Sequence, residues 1–191
     1  AWFLLAFVLI YSSMHALVAC RVLPLLPQVW FFRLGFYAFL ATMVLCPIMT
    51  NLADRTGHHV LATILAWTGY TWMGFVFVAF CLGLAFTFLE LLALGLRTAL
   101  PQWQAWLSPG TKAGLLIGLS LAVLTYGVFE ARSLQVVHVP LSSSRLDSTI
   151  TVAQISDLHL GLLAGERRVR SIRAALEGIG PDILVCTGDL I

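Results

Sequence analysis

The feature that most constrains this chain is a run of 37 residues, 60–96, that contains a single charged side chain, Glu90. A membrane-spanning helix needs about 20 mostly apolar residues, and no strong turn signal divides the run into two spans. We therefore predict one helix, roughly 55 Å long, that crosses a membrane and projects past its face. Pro101 and the aromatic segment 103–106 are expected to end this helix at the interface.

Three further apolar runs have the length of a membrane span. They cover residues 1–20, 34–49 and 113–129, and the aromatic residues 30–32 before the second run suit a membrane interface. Four spans place both ends of the chain on the same side. The basic residues that flank the spans divide four against three between the two sides, which assigns the C-terminal domain to neither side.

Charge divides the chain into two regions. Overall, 60% of the residues are hydrophobic and 10% are charged, which argues against a single soluble domain, a nucleic-acid-binding protein and a disordered tail. Residues 1–129 hold 7 charged side chains, whereas residues 130–191 hold 13 in half the length. We interpret 1–129 as a polytopic transmembrane anchor and 130–191 as the first part of a water-soluble domain. Both ends of the sequence resemble those of a truncated chain, so we expect a fragment of a longer protein.

The second region has the pattern of a βαβ unit. Residues 134–139, 149–155 and 182–187 are predicted strands, and residues 166–177 are a predicted helix. Val169, Ile172 and Leu176 share one face of that helix. A strand, a helix and a strand of these lengths predict that the last two strands are parallel.

Polar side chains follow both of these last strands. Asp157 and His159 come after one strand, and Gly188 and Asp189 come after the other. Ligands collect at the carboxyl ends of strands in open α/β sheets, and residues i and i+2 of an extended segment point the same way. Asp157, His159 and Asp189 are therefore candidate metal ligands, and Gly188 is expected to permit a sharp turn and a close approach. Imidazole with carboxylates suits Mn, Fe, Zn or Co more than Ca.

These motifs resemble a known family. The segments VAQISDLHLG and PDILVCTGDLI are similar to the membrane-anchored bacterial branch of the calcineurin-like metallophosphoesterases. The resemblance implies an α/β metallophosphoesterase sandwich after the membrane anchor. It also implies two divalent metal ions, with Asp157 and His159 on the first ion and Asp189 bridging both. The implied activity is hydrolysis of a phosphomonoester or phosphodiester, with a lipid-linked substrate as one possibility.

The chain departs from the family pattern where its sequence ends. The family's Gly-Asn-His-Asp/Glu motif, a later His and its Gly-His-x-His motif do not occur in residues 1–191. The His that would protonate the leaving group is expected beyond Ile191, so we expect the chain by itself to be inactive. The alternatives are a non-catalytic membrane scaffold, a transporter-like protein or a degenerate phosphoesterase that only binds. We expect a multi-pass protein of the bacterial cytoplasmic membrane, in contact with lipids and without a nucleic-acid partner.

Four ionisable residues outside these motifs have structural interpretations. His15 lies within the first apolar run and is expected to be a neutral ring bonded to a neighbouring helix. His58 and His59 are expected to be solvated loop residues rather than a metal site. Glu90 is expected at the far interface or in solvent, with no charged partner.

Overall fold

The computed structural model describes residues 2–99, 107–158, 161–162 and 165–188. These residues form two compact units, 1–127 and 128–191, and each unit is described by itself.

Four helices make up the first unit, and the last of them continues a few residues beyond it. They are α1 (Trp2–Val22), α2 (Trp30–Arg55), α3 (His59–Ala99) and α4 (Pro109–Glu130). A short 3-10 turn, Leu23–Leu25, follows α1. All four helices are long and apolar enough to cross a membrane, with mean hydropathies of 2.1, 1.7, 2.4 and 1.7. The prediction of four such helices is confirmed.

The longest apolar run is one continuous helix, as predicted. Helix α3 contains 41 residues and extends for about 60 Å. The residues expected to end it at an interface, Pro101 and 103–106, lie outside the described residues. Its projection past a membrane face stays a prediction.

Helix α2 is longer at both ends than the predicted span. It begins at Trp30 because the interfacial aromatic residues 30–32 belong to its first turn. It ends after Arg55, where Gly57 has a φ of 79°, a backbone conformation that glycine adopts without a Cβ penalty. The Gly57 N–H donates to Asp54 O at 3.0 Å and the His58 N–H donates to Ala53 O at 2.9 Å, so backbone bonds close the last turn.

Glycine permits the closest helix contacts in the first unit. A Cβ built on Gly69 of α3 would lie 2.7 Å from Cys46 Sγ of α2, and one on Gly83 would lie 2.6 Å from Leu17 Cδ2 of α1. Both distances are too short for real atoms, so a side chain at either position would force its neighbour to move, the Cys46 side chain at Gly69 and the flexible end of Leu17 at Gly83. Small residues at helix interfaces are typical of packing within membranes.

The core of this unit contains both apolar and polar side chains. Its buried apolar cluster consists of Tyr11, Val18, Val44, Val76, Ala79 and Leu116. The buried Thr50 hydroxyl donates to Cys46 O at 2.9 Å, and the buried Ser120 hydroxyl donates to Leu116 O at 2.7 Å. These bonds to the preceding turn satisfy the two hydroxyls without a partner from another helix.

The second unit contains strand β1 (Val152–Ser156), helix α5 (Gly165–Ile179) and strand β2 (Ile183–Thr187). The strands are parallel, and their register runs from Val152 opposite Ile183 to Ser156 opposite Thr187. The predicted βαβ unit is therefore confirmed. Helix α5 ends where Gly180, with a φ of 58°, donates its N–H to Leu176 O at 2.9 Å.

Two expectations for this unit need correction. Residues 134–139 are not a strand, because a strand requires a hydrogen-bonded neighbour and, in the described part, β1 and β2 pair only with each other. The described residues contain a two-stranded parallel sheet and not a clear α/β sandwich. Helix α5 contains Val169, Ile172 and Leu176 as predicted, and Val169 is exposed whereas Ile172 and Leu176 are half-buried.

Candidate functional site

The parallel pairing places the carboxyl ends of β1 and β2 side by side. Ser156 lies opposite Thr187 at the last paired position. One residue further, the Asp157 N–H donates to Thr187 O at 3.2 Å, so the two chains are still in contact after the strands end. The Gln154 amide donates to the Thr187 hydroxyl at 2.9 Å and joins the strands through their side chains. The sheet thus brings the first residues of both predicted motifs together.

Asp157 has an unusual backbone conformation at this edge. Its φ is 50°, and it is the only non-glycine residue with a positive φ among those that the structure describes. Aspartate tolerates the left-handed region better than most residues, yet such conformations persist only where the surrounding structure enforces them. The Ser156 hydroxyl donates to the Asp157 carboxylate directly after β1 ends.

Gly188 provides the space that the Asp157 carboxylate occupies. A Cβ on Gly188 would overlap one carboxylate oxygen of Asp157 and lie 2.8 Å from its Cγ. Gly188 also has a φ of 80°, which favours glycine. The prediction that Gly188 permits a sharp turn and a close approach is confirmed for this contact.

Of the three predicted metal ligands, Asp157 alone belongs to the described residues. His159 and Asp189 lie outside them, so the convergence of the three side chains stays a prediction. Within the described residues, no group of three His, Cys, Asp or Glu side chains is arranged to hold a metal ion.

The donor types at this edge fit a divalent transition metal. Asp157 supplies a carboxylate at a strand end, and the residue after Gly188 is a second aspartate. Two carboxylates near each other repel unless a proton or a cation lies between them.

Leu158 is half-buried and lines a hollow with Ile155 and Ile172, so the residue between Asp157 and His159 faces the apolar side of the unit as predicted.

A second polar cluster lies in the helical unit. Arg21 of α1 donates to Glu90 of α3 through both terminal nitrogens, at 2.9 and 2.8 Å, and to the Thr87 hydroxyl at 2.7 Å. Lys112 of α4 donates to the same carboxylate at 2.8 Å. The expectation that Glu90 has no charged partner was wrong. The signal available in the sequence was that Arg21 and Lys112 flank apolar runs at ends that four spans put on the same side, but which side chains meet depends on helix packing.

His15 has both of its ring nitrogens in hydrogen bonds. Its Nδ1 lies 2.8 Å from Tyr11 O, and its Nε2 accepts the Trp72 indole N–H at 2.9 Å. The pair of contacts requires a neutral ring protonated at Nδ1. The prediction of a neutral His bonded to a neighbouring helix is confirmed. The Tyr11 ring packs edge-on against His15, with ring centroids 4.5 Å apart.

His58 and His59 form local contacts at the turn between α2 and α3. The His59 Nδ1 lies 3.2 Å from Asp54 Oδ1, and the His58 Nδ1 lies 3.0 Å from the Thr56 hydroxyl. Both rings are exposed, and they bond to different residues. The exposure of both rings agrees with the interpretation of solvated residues, but His59 is the first residue of α3 and not a loop residue.

Comparison with known proteins assigns no function to this chain, so the function must be inferred from the site. The sequence matches no family model, no curated protein and no solved structure. The fold defines a chain with four helices able to cross a membrane and a separate βαβ unit.

Proposed function

We propose that this chain is part of a membrane-bound two-metal phosphoesterase that hydrolyses phosphomonoester or phosphodiester bonds. The observation that supports the proposal most is the position of Asp157. Its carboxylate lies at the carboxyl end of β1, in a left-handed backbone conformation, against the glycine that precedes Asp189. Polar groups at the carboxyl ends of adjacent parallel strands are the usual ligand-binding residues of α/β folds.

Each residue of this edge has a distinct part in the proposed site. Asp157 and His159 would hold the first ion, and Asp189 would hold both. Divalent ions at such a site neutralise charge on the phosphate oxygens and lower the pKa of water. The Ser156 hydroxyl orients the Asp157 carboxylate, and Gly188 leaves room for it. Mn, Fe, Zn or Co suit this donor set.

The proposed location is the bacterial cytoplasmic membrane, with several membrane crossings. Four helices of sufficient length and hydropathy support it, as do the aromatic residues 30–32 in the first turn of α2. A membrane-embedded enzyme meets lipid-linked substrates in its own plane. A lipid-linked phosphoester is therefore the substrate class that we favour.

A non-catalytic scaffold or transporter-like protein is the second candidate. The network of Arg21, Glu90 and Lys112 favours it, because partnered ionisable residues within membrane helices often serve transport. The proposed phosphoesterase has no need of this network. Metal binding at the strand ends distinguishes the two candidates.

The experiment is a titration of the full chain, purified in detergent, with Mn²⁺, in which the loss of the electron paramagnetic resonance signal of free Mn²⁺ reports binding. We expect saturable binding by the wild type and binding weakened at least about tenfold in Asp157→Asn. The matched control is Asp182→Asn, at the opposite end of the sheet, where Asp182 accepts the Thr151 N–H at 2.8 Å. Its Mn²⁺ affinity should equal that of the wild type.

Two outcomes of the titration contradict the proposal. One is a wild type that binds no Mn²⁺ while its circular dichroism shows a folded chain. The other is equal binding by the wild type and both variants. Either result favours the scaffold or transporter-like candidate.

A further inference from the structure

The network in the helical unit joins three helices through one carboxylate. Glu90 of α3 accepts hydrogen bonds from Arg21 of α1 and Lys112 of α4. The side chains of Arg21 and Lys112 are 23% and 24% exposed, and that of Glu90 is 37% exposed. The network is thus partly desolvated but still accessible from outside the helix bundle.

Charge in this network does not balance. Two cations share one carboxylate, so the group has a net charge of +1. The sequence of residues 1–127 contains only one other carboxylate, Asp54, which contacts His59 at the other end of α3. No acidic side chain of this unit therefore compensates the second cation. Arg33, in the first turn of α2 and on the same side by topology, adds further positive charge.

Donors also remain after the hydrogen bonds among the described residues are made. An ammonium group has three N–H donors, and Lys112 uses one of them on Glu90. A guanidinium group has five N–H donors, and Arg21 uses three of them on Glu90 and Thr87. The remaining donors and the uncompensated charge together fit an oxyanion.

The position of the network selects the kind of anion. Arg21 is next to the last residue of α1, and Lys112 is in the first turn of α4, so both lie at the same end of apolar spans. In a bilayer, such span ends meet the headgroup layer, where lipid phosphates are the abundant anions. A cation at this depth whose charge no carboxylate compensates is stabilised by pairing with a lipid phosphate.

We propose that Arg21 and Lys112, held in position by Glu90, bind the phosphate of an anionic lipid headgroup. The inference rests on the proposed membrane location and is independent of the proposed hydrolase activity. The two cations are equally exposed, but Lys112 makes one described contact, whereas Arg21 is held by both Glu90 and Thr87. Glu90 aligns the two cations and does not itself contact the lipid.

The test measures which lipids stay with the full chain. The protein is reconstituted in vesicles that contain phosphatidylcholine with a minor fraction of phosphatidylglycerol, extracted into mild detergent, and analysed by native mass spectrometry. We expect the wild type to retain phosphatidylglycerol in excess of its share of the bilayer. Lys112→Gln should lower this enrichment about fivefold, the effect of one basic residue at an anionic membrane surface. Lys112→Arg should restore it.

The matched control is Arg33→Gln. Arg33 lies in the first turn of α2, on the same side by topology, and its removal changes the net charge by the same amount. We expect its lipid enrichment to equal that of the wild type. An equal loss in Arg33→Gln and Lys112→Gln would mean general surface attraction and would overturn the site.

Two further outcomes overturn the proposal without any variant. One is a wild type that enters the vesicles but shows no preference for phosphatidylglycerol. The other is displacement of the retained lipid by excess inorganic phosphate, which would identify a site for the free anion. A chain that fails to float with the vesicles contradicts instead the proposed membrane location.

Discussion

Both units of this molecule expose apolar side chains, but they differ in how the hydrogen bonds of their backbones are satisfied. In the helical unit, the buried side chains of His15 and Thr50 are hydrogen-bonded, and apolar side chains cover the outside. In the C-terminal unit, the strand residues Ile183, Leu184 and Val185 remain 49%, 50% and 38% exposed. A helix satisfies its backbone internally and can stand alone in lipid, whereas a strand depends on its neighbours.

This difference has a consequence for local stability. Each helix of the first unit packs against others through close contacts, such as Gly69 on Cys46. The second unit relies on one two-stranded sheet whose strand β2 is exposed along its whole length, and a sheet of this size has little independent stability. The two units should therefore open independently, and the C-terminal unit should open first.

Hydrogen exchange gives the largest expected effect and tests this comparison directly. In the full chain, we expect the amides of α3 near Val76 to exchange at least about a thousandfold more slowly than those of β1 and β2. The physical reason is that α3 is buried among helices while β2 is exposed throughout. Mass spectrometry of labelled peptides measures both rates. Equal protection in β2 and α3 would remove the distinction between the units.

Loss of the Glu90 carboxylate is expected to have the next largest effect. Glu90→Gln leaves Arg21 and Lys112 without their shared counter-charge, and we expect a loss of about 2 kcal/mol in unfolding free energy. The value is below that of a fully buried pair because Glu90 is 37% exposed. Unfolding in detergent micelles measures it.

The control for this variant is a solvated ion pair of the other unit. Glu166 pairs with Arg170 across one turn of α5, and both side chains are highly exposed. Glu166→Gln should change stability by no more than about 0.5 kcal/mol. If Glu90→Gln is as mild as this control, the network contributes nothing to the stability of the helical unit.

Glycine substitutions are expected to have the smallest effect on the unfolding free energy, and they test how closely the helices pack. Gly69→Ala places a Cβ 3.2 Å from the Cys46 Cβ and closer still to its sulfur, so α2 and α3 must separate slightly. We expect a loss of about 1 kcal/mol. Gly118→Ala in α4, with nothing within 4 Å of the new Cβ, should instead be neutral or stabilising by less than about 1 kcal/mol. Thermal unfolding of the two variants in detergent tests the opposite signs.

Much of the helical unit could be predicted because its pattern is one of length and composition. The run of residues 60–96 predicts a single helix from its apolar character alone, and the structure contains that helix. The boundaries of α2 were less predictable, because its first turn consists of residues 30–32, which suit an interface as well as a helix. The ends of such helices depend on backbone bonds like that from Gly57 to Asp54.

The residue types of the candidate site and their order along the chain could be predicted from the sequence. Which of their atoms lie in contact could not. The sequence places Asp157 and Gly188 after two strands, and periodicity predicts that those strands are parallel. The left-handed conformation of Asp157 and the overlap of its carboxylate with a Cβ on Gly188 depend on the register of the sheet. Residues 134–139 are not paired with another strand in the described part of the chain, and whether a segment is paired depends on which strands are its neighbours. The β-branched composition of the segment does not determine this.

By itself, the sequence determined that this chain has four helices able to cross a membrane and a βαβ unit with aspartates after its strands. Such features follow from local periodicity and from the length needed to span a bilayer. Only the tertiary structure decided that Arg21, Glu90 and Lys112 meet, since 69 residues separate the first two and 22 the last two. Contacts over such distances arise from the packing of whole helices, which no local pattern encodes.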